Sequence, residues 1–420
     1  MKLEVFPKVY QTGCCQTIHV QFDEPVSETV SVRIIGMEHY TVPHTPIYRV
    51  DELHRYPFRE MEKQDNGTFS IAYDFPHEQC YRLSFQIGET ILEPAAEVYA
   101  VKEDLFGMQV FKGDTHLHSC RSDGQGTPFE VAVNYRKAGF DFIALTDHHK
   151  MYPSVEAKEA VEKLTDQFTV IQAEEVHNRS MGYFHIVNLG GKTSVNDYIE
   201  ADHDRAGREV EQLKQQMEFP PEVDPGACAW RKYIADKIHA GGGLAVMSHP
   251  YWIYCDEYHV QSEDLIYSWQ NNHFDALEVL AGSTQDGNNL TTAMWADLRA
   301  EGIRIPVVGC SDSHSFTSED TLFNVHFTVV FAKDREGILP AIKNEMSVAV
   351  KRRTDTDYFV FGRFRLVKYV RFLMDHYYPG YQKLTEQHSL ALASADKEGT
   401  AAVKNAEQQI KKYKTKFFGQ

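Results

Sequence analysis

Histidine, aspartate and glutamate recur in this chain at the C-terminal ends of short apolar runs, and that recurrence constrains the fold more than any other feature. The groups are His116-x-His118, Ser122-Asp123-Gly124, Thr146-Asp147-His148, Ala173-Glu174-Glu175, His185, Ser248-His249-Pro250 and Asp312-x-His314. A strand places residues i and i+2 on one face, so His116 and His118 can aim two imidazoles at one point, and Asp312 and His314 repeat that spacing. Such scattered groups meet most simply where the strands of an α/β barrel end together, because the βα loops converge there.

Imidazole and carboxylate together suit zinc, iron or manganese. Calcium would call for oxygen ligands almost throughout, and magnesium would tolerate few histidines. A four-coordinate ion uses about four ligands. The nine candidates His116, His118, Asp123, His148, Glu175, His185, His249, Asp312 and His314 therefore point to two or three divalent ions.

In their order, these motifs resemble the PHP (polymerase and histidinol phosphatase) superfamily of metal-dependent phosphoesterases, from about Phe111 to about Phe331. The resemblance implies that His116, His118, Glu175 and Asp312 surround one ion, that Asp123, His148 and His314 surround a second, and that Glu175, His185 and His249 hold a third, with Glu175 bridging. It implies that His116, His118, Glu175, Asp312 and His314 carry the catalysis, in a distorted (β/α)7 barrel. Two positions depart from the family pattern. Asp123 stands where some members have histidine, a variant similar to the nucleotide phosphoesterase branch. Ala173-Glu174-Glu175 replaces the usual Gly-x-Glu, so Glu175 is taken as the bridging carboxylate with Glu174 as the fallback.

The rest of the 420 residues suggests two or three domains. Up to residue 106, short apolar runs broken by turn residues suggest an antiparallel β-sandwich, with Asp65-Asn66-Gly67 as a hairpin signal. From 107 to 350, apolar strands alternate with amphipathic stretches, as in βα units; the strands are expected at 109–116, 142–146, 169–174, 183–189, 244–248, 276–280 and 305–309. An insertion at about 190–243, with helices near 202–219 and 229–239, reads either as a lid or as an outer helical layer. Residues 351–420 read as a helical C-terminal extension, broken at Pro379-Gly380, that packs on the barrel or on a second subunit of a homo-oligomer.

A net charge of -17 argues against a nucleic-acid backbone as the main partner, leaving a nucleotide or a short oligonucleotide as the nucleic acid this chain would take. No long apolar run is present, so no membrane is expected. The opening residues lack a secretory pattern and the seven cysteines show no paired spacing, which reads as a cytoplasmic protein. Cys120 and Cys310, beside candidate ligands, read as small buried residues.

Metal-activated water makes a protein nucleophile unnecessary, and neither Gly-x-Ser-x-Gly nor a phosphate loop is present. Arg121, Lys150 and Arg179 lie beside ligand motifs and are candidates to clamp a phosphate. Asp114 and Asp147 are candidates to orient an imidazole, with surface or capping roles as the alternative. His149, His177 and His273 read as satisfied polar or core histidines, His149 also as a proton donor. The expected substrate is a small phosphorylated metabolite or nucleotide. An amide, carbamate or ester cleaved by the same chemistry is the alternative, and a non-catalytic binding module is the third.

Overall fold

A computed structural model of the chain describes residues 1–38, 56–177, 184–317, 321–354, 356–395 and 399–419. They form two compact units, one of residues 1–108 with 371–377 and 408–420, the other of 109–370 with 378–407. The helical extension expected over 351–420 is thus divided between the two units and does not stand as a third.

In the first unit, strands Leu3–Phe6 (β1), Val9–Gln11 (β2), Cys15–Phe22 (β3), Val30–Gly36 (β4), Arg59–Glu60 (β5), Glu62–Lys63 (β6), Phe69–Asp74 (β7), Gln79–Ile87 (β8) and Thr90–Val101 (β9) build two sheets. Their orders are β1-β3-β7-β6 and β2-β9-β8-β4-β5. Alternation along β3 turns Ile18, Val20 and Phe22 inward. There they share one core with Val30, Val32, Leu83 and Phe85 of the other sheet. Asp65-Asn66-Gly67 makes the turn from β6 to β7, with Gly67 at a φ of 83° that a side chain would strain.

The second unit is a mixed α/β fold. Its strands are Gln109–Leu117 (β10), Phe142–Leu145 (β11), Thr169–Ile171 (β12), Ala173–Val176 (β13), Ile186–Leu189 (β14), Leu244–Met247 (β15), Ile253–Tyr254 (β16), Glu257–Tyr258 (β17), Ala276–Leu280 (β18), Val307–Gly309 (β19), His326–Ala332 (β20), Ser347–Arg352 (β21) and Tyr358–Gly362 (β22). One curled sheet runs β12-β11-β10-β20-β21-β22 and another β13-β14-β15-β18-β19, while β16 and β17 form a separate hairpin. Single parallel bridges join the two sheets at Leu117–Ser313 and His148–Glu175.

Strands β13, β14, β15 and β18 are buried along their whole length, as expected of a sheet covered on both faces. Val187, Leu189, Val246 and Ala276 face one cluster with Phe111 and Phe142. Their neighbours Ile186, Ala245, Met247 and Leu277 face another, built with Val210, Ile234 and Ile238. Those last three belong to helices His203–Lys214 and Pro225–Ala240. The insertion is therefore an outer helical layer and not a lid.

Three elements differ from the expectation. Residues 169–174 form not one strand but two, broken at Gln172 and belonging to different sheets. Strands β20 to β22 were not foreseen; β20 runs antiparallel to β10 with Val330 opposite Phe111. The helical extension breaks at Tyr377, between Phe364–His376 and Tyr378–Ala393, and not at Pro379 itself, which lies in the first turn of the second helix, where its missing N–H has no partner to lose. No helix among the described residues is long and apolar enough to cross a membrane.

Candidate metal centre

Strand β10 delivers His116 and His118 to one side, their ring centroids 5.3 Å apart. The Nδ1 of His116 lies 2.8 Å from Glu278 Oε1, and Glu278 Oε2 accepts the His249 backbone N–H at 3.0 Å. With Nδ1–H committed to a carboxylate, Nε2 is the nitrogen left to bind an ion, and the acceptor fixes both tautomer and ring angle. Glu278 escaped the reading of the sequence because it sits inside a strand, Ala-Leu-Glu-Val-Leu, and not at its end. A lone carboxylate in an otherwise apolar, wholly buried strand is the signal that marks it. Glu278→Ala is expected to weaken metal affinity about 10- to 100-fold, as read by competition with a chromogenic chelator. Affinity equal to the unmodified chain would remove Glu278 from this role.

Glu175 lies at the middle. Its Oε2 is 3.2 Å from His116 Nε2, 3.4 Å from His118 Nε2 and 2.8 Å from His148 Nδ1. Its Oε1 touches His185 Nδ1 and lies 3.5 Å from His249 Nε2. His185 precedes β14, and because β14 runs antiparallel to β13 and β15, its start lies where those two strands finish. Glu174, one residue earlier, points the other way. It accepts from Asn188 Nδ2, Ser194 Oγ, the Val195 N–H and Asn196 Nδ2, holding the start of helix Val195–Glu200.

Asp312 closes the first group, 3.3 Å from His116 Nε2 and 3.1 Å from His118 Nε2. Its backbone has a φ of 52°, a left-handed turn that aspartate tolerates better than most residues, and its N–H donates to the His116 carbonyl. A second group lies toward solvent: Asp123 Oδ2 is 3.6 Å from His148 Nε2 and 3.4 Å from His314 Nε2, and Asp123 Oδ1 is 3.8 Å from His118 Nδ1. The loop carrying Asp123 needs glycine at 124, because a Cβ there would meet the His118 carbonyl at 2.7 Å. Exposure rises from 0% at the Glu175 side chain to 39% at His314 and 54% at Asp123, so the cluster opens on that side.

These residues fit divalent ions. Nε2 of His116, Nδ1 of His148, both oxygens of Glu175, Nδ1 of His185 and both ring nitrogens of His249 are buried with no hydrogen-bond partner of good geometry among the described residues. Each such atom costs about 1–3 kcal/mol if left so. Two donors each ~2.1 Å from a tetrahedral ion lie roughly 3.4 Å apart. The separations above scatter about that value. Burial opposes charge on Glu175 and Asp312, yet the facing imidazoles hold both well below the usual carboxylate range. Burial likewise opposes charge on His116, and Glu175, Glu278 and Asp312 hold it well above its ordinary value. The carboxylates here demand positive charge, which cations supply.

Other candidates take different places. Asp114 orients no ring; it accepts the His116 and Ser311 N–H groups, and burial raises it to about 7. Asp147 accepts from the N–H and Oγ of both Ser119 and Ser122, stapling the loop that carries Asp123. Arg121 is engaged by Glu156 through two hydrogen bonds of 3.0 and 2.8 Å, and Lys150 donates to the Arg121 carbonyl. Arg179 lies outside the described residues. His149 is half exposed, 3.6 Å from Glu200. His273 is buried beside Tyr267. Neither ring nitrogen of His177 has a hydrogen-bond partner among the described residues. Cys120 is exposed, whereas Cys310 is buried beside His116 and Glu278.

Residues 114–222 match the PHP domain family. No curated protein matches the chain. Among solved structures it is similar to a two-domain protein from Bacteroides vulgatus containing a predicted PHP-like metal-dependent phosphoesterase (20% identity, 64% of this chain and 71% of that one, TM-score 0.43). It is also similar to an amidohydrolase from Chromobacterium violaceum with bound sulfate and no metal (21% identity, 50% and 89%, TM-score 0.33).

Proposed function

We propose that this chain, which contains a PHP domain, is a metal-dependent hydrolase, and that it is a phosphoesterase acting on a small phosphorylated metabolite or nucleotide. The observation that carries this reading is the convergence of buried imidazoles, unpartnered among the described residues, on the buried carboxylate of Glu175, with one open side. Strand order β10-β11-β13-β14-β15-β18-β19, linked at both ends by the single bridges, supports a distorted (β/α)7 barrel around that point. The two sheets of the first unit support a β-sandwich.

Two or three ions, zinc, manganese or iron, would be held by the nine residues named above, with His116, His118, Glu175, Asp312 and His314 nearest the chemistry. Ions of this kind lower the pKa of water and offset negative charge growing on a substrate. The protein's own residues supply position. Asp312 and Glu175 fix the geometry from below, Glu278 holds His116 from behind, and Asp123, His148 and His314 line the side from which substrate enters.

Trp252 supports the nucleotide end of the substrate class. Its ring is 5.9 Å from His249 and 5.7 Å from Tyr254, and both aromatic residues are more than a third exposed. A planar base can stack there, a contact worth about 1–3 kcal/mol. Trp252→Ala is therefore expected to raise KM about tenfold for nucleotide substrates with kcat little changed, and to leave KM for simple phosphomonoesters as it was. Equal effects on both substrate types would count against stacking.

One observation favours the carbonyl alternative, an amide, carbamate or ester: Arg121 and Lys150 are both engaged within the protein, so the lining offers phosphate less charge than the sequence promised. A panel of phosphomonoesters, phosphodiesters and carbamates, assayed with manganese, iron or zinc loaded, separates the readings. Phosphate release abolished by chelator is expected, and inactivity on every phosphoester with all three metals would overturn the phosphoesterase reading.

A further inference from the structure

Beyond the nine residues that the strand ends present, a histidine reaches the centre from the hairpin that follows His249. Strands β16 and β17 form a short hairpin directly after His249. The chain then returns, with the His259 N–H donating to the Trp252 carbonyl and the Val260 N–H to the Pro250 carbonyl. This return sets the His259 ring 4.5 Å from that of His185, nearly perpendicular, and 5.4 Å from that of His249, nearly parallel.

Each of these three histidines offers a ring nitrogen within 4.8 Å of the others. Only 8% of His259 is exposed, and neither of its nitrogens has a hydrogen-bond partner among the described residues. Among the described residues no carboxylate is hydrogen-bonded to it, unlike His116 with Glu278. A neutral imidazole carries one nitrogen lone pair, and three such rings bring a nitrogen each to one place here. What satisfies several such lone pairs at once is a shared transition-metal ion.

We propose that His259 is a metal ligand, completing with Glu175, His185 and His249 a four-donor position for a divalent transition-metal ion such as zinc. The proposal rests on the reading of this cluster as a metal centre. Its consequence is a division of labour. A position with four protein donors has the closed character of a structural site. The position of Asp123, His148 and His314, which opens to solvent, keeps room for water and substrate. The hairpin becomes a clasp whose ordering depends on the ion it holds.

Metal content tests this without reference to turnover. The purified full chain, His259→Ala and a hairpin control, Tyr258→Ala, are loaded with zinc and analysed by mass spectrometry, and zinc release to a chelator is followed in time. Expected are one ion fewer in His259→Ala, or release of one ion at least tenfold faster, with Tyr258→Ala matching the unmodified chain. His259→Cys loaded with cobalt keeps the test decisive should the alanine variant fold poorly: a thiolate-to-cobalt charge-transfer band, absent from the unmodified chain, is expected. Unchanged ion count and release in folded His259→Ala, or no new band in His259→Cys, would overturn the proposal. An unmodified chain that takes up no ions at all would overturn the metal-centre reading along with it.

Discussion

Glu175→Gln is expected to lower turnover on the order of 10³-fold or more and to empty at least one metal position. The side chain keeps its shape but loses its charge, and one oxygen becomes an NH2 that can only donate. Around it stand His116, His118, His148, His185 and His249, all at ligand-to-ligand distances from its two oxygens. An amide nitrogen turned toward any of these would face either a ring nitrogen that needs an acceptor or the ion itself. Loss of several kcal/mol of transition-state charge stabilisation corresponds to that factor in rate. Metal content and kcat measured on the same folded sample decide it, and near-normal turnover with a full complement of ions would remove Glu175 from the centre. Glu174→Gln is the matched comparison. Glu174 serves four donors around Val195, so its loss is expected to lower stability while ion content is kept.

That pair of glutamates shows what the sequence could and could not tell. Consecutive residues on a strand face opposite ways, so one of the two had to face the cluster, but which one depends on β14 and the helix behind it. Residues at strand ends were legible because a polar group closing an apolar run is a local signal, and the structure brings all nine together. Glu278 and His259 were not, one lying within a strand and the other after a hairpin, where position along the chain says nothing about convergence. The His326–Ala332 segment was hidden for another reason. Its run His-Phe-Thr-Val-Val-Phe-Ala is buried throughout and lacks the alternation that separates a strand from a buried helix.

Stability rests elsewhere, and Arg136→Met is expected to cost about 3–5 kcal/mol because it breaks a wholly buried ion pair from one side. Arg136 lies in helix Pro128–Lys137 and is 0% exposed. Its Nη1 donates to the Phe140 carbonyl at 2.8 Å and to Asp141 Oδ1 and Tyr381 OH at 3.3 Å. Its Nε donates to His388 Nδ1 at 3.0 Å, and burial, with Arg136 adding, pushes His388 down to about 3, so the ring stays neutral and accepts. One guanidinium thus ties helix Tyr378–Ala393 to Asp141, which leads into β11. Arg136→Lys keeps the charge, but a single ammonium cannot reproduce the planar fork, so most of the loss should remain. Asp141→Asn alone leaves the guanidinium unpaired and should be costly too. The double substitution Arg136→Met with Asp141→Asn leaves neither charge orphaned and should cost less than the sum of the two. Denaturant unfolding of the metal-loaded chain measures all four variants. Strict additivity would mean that Arg136 and Asp141 act independently and that the tie to the C-terminal helix lies elsewhere.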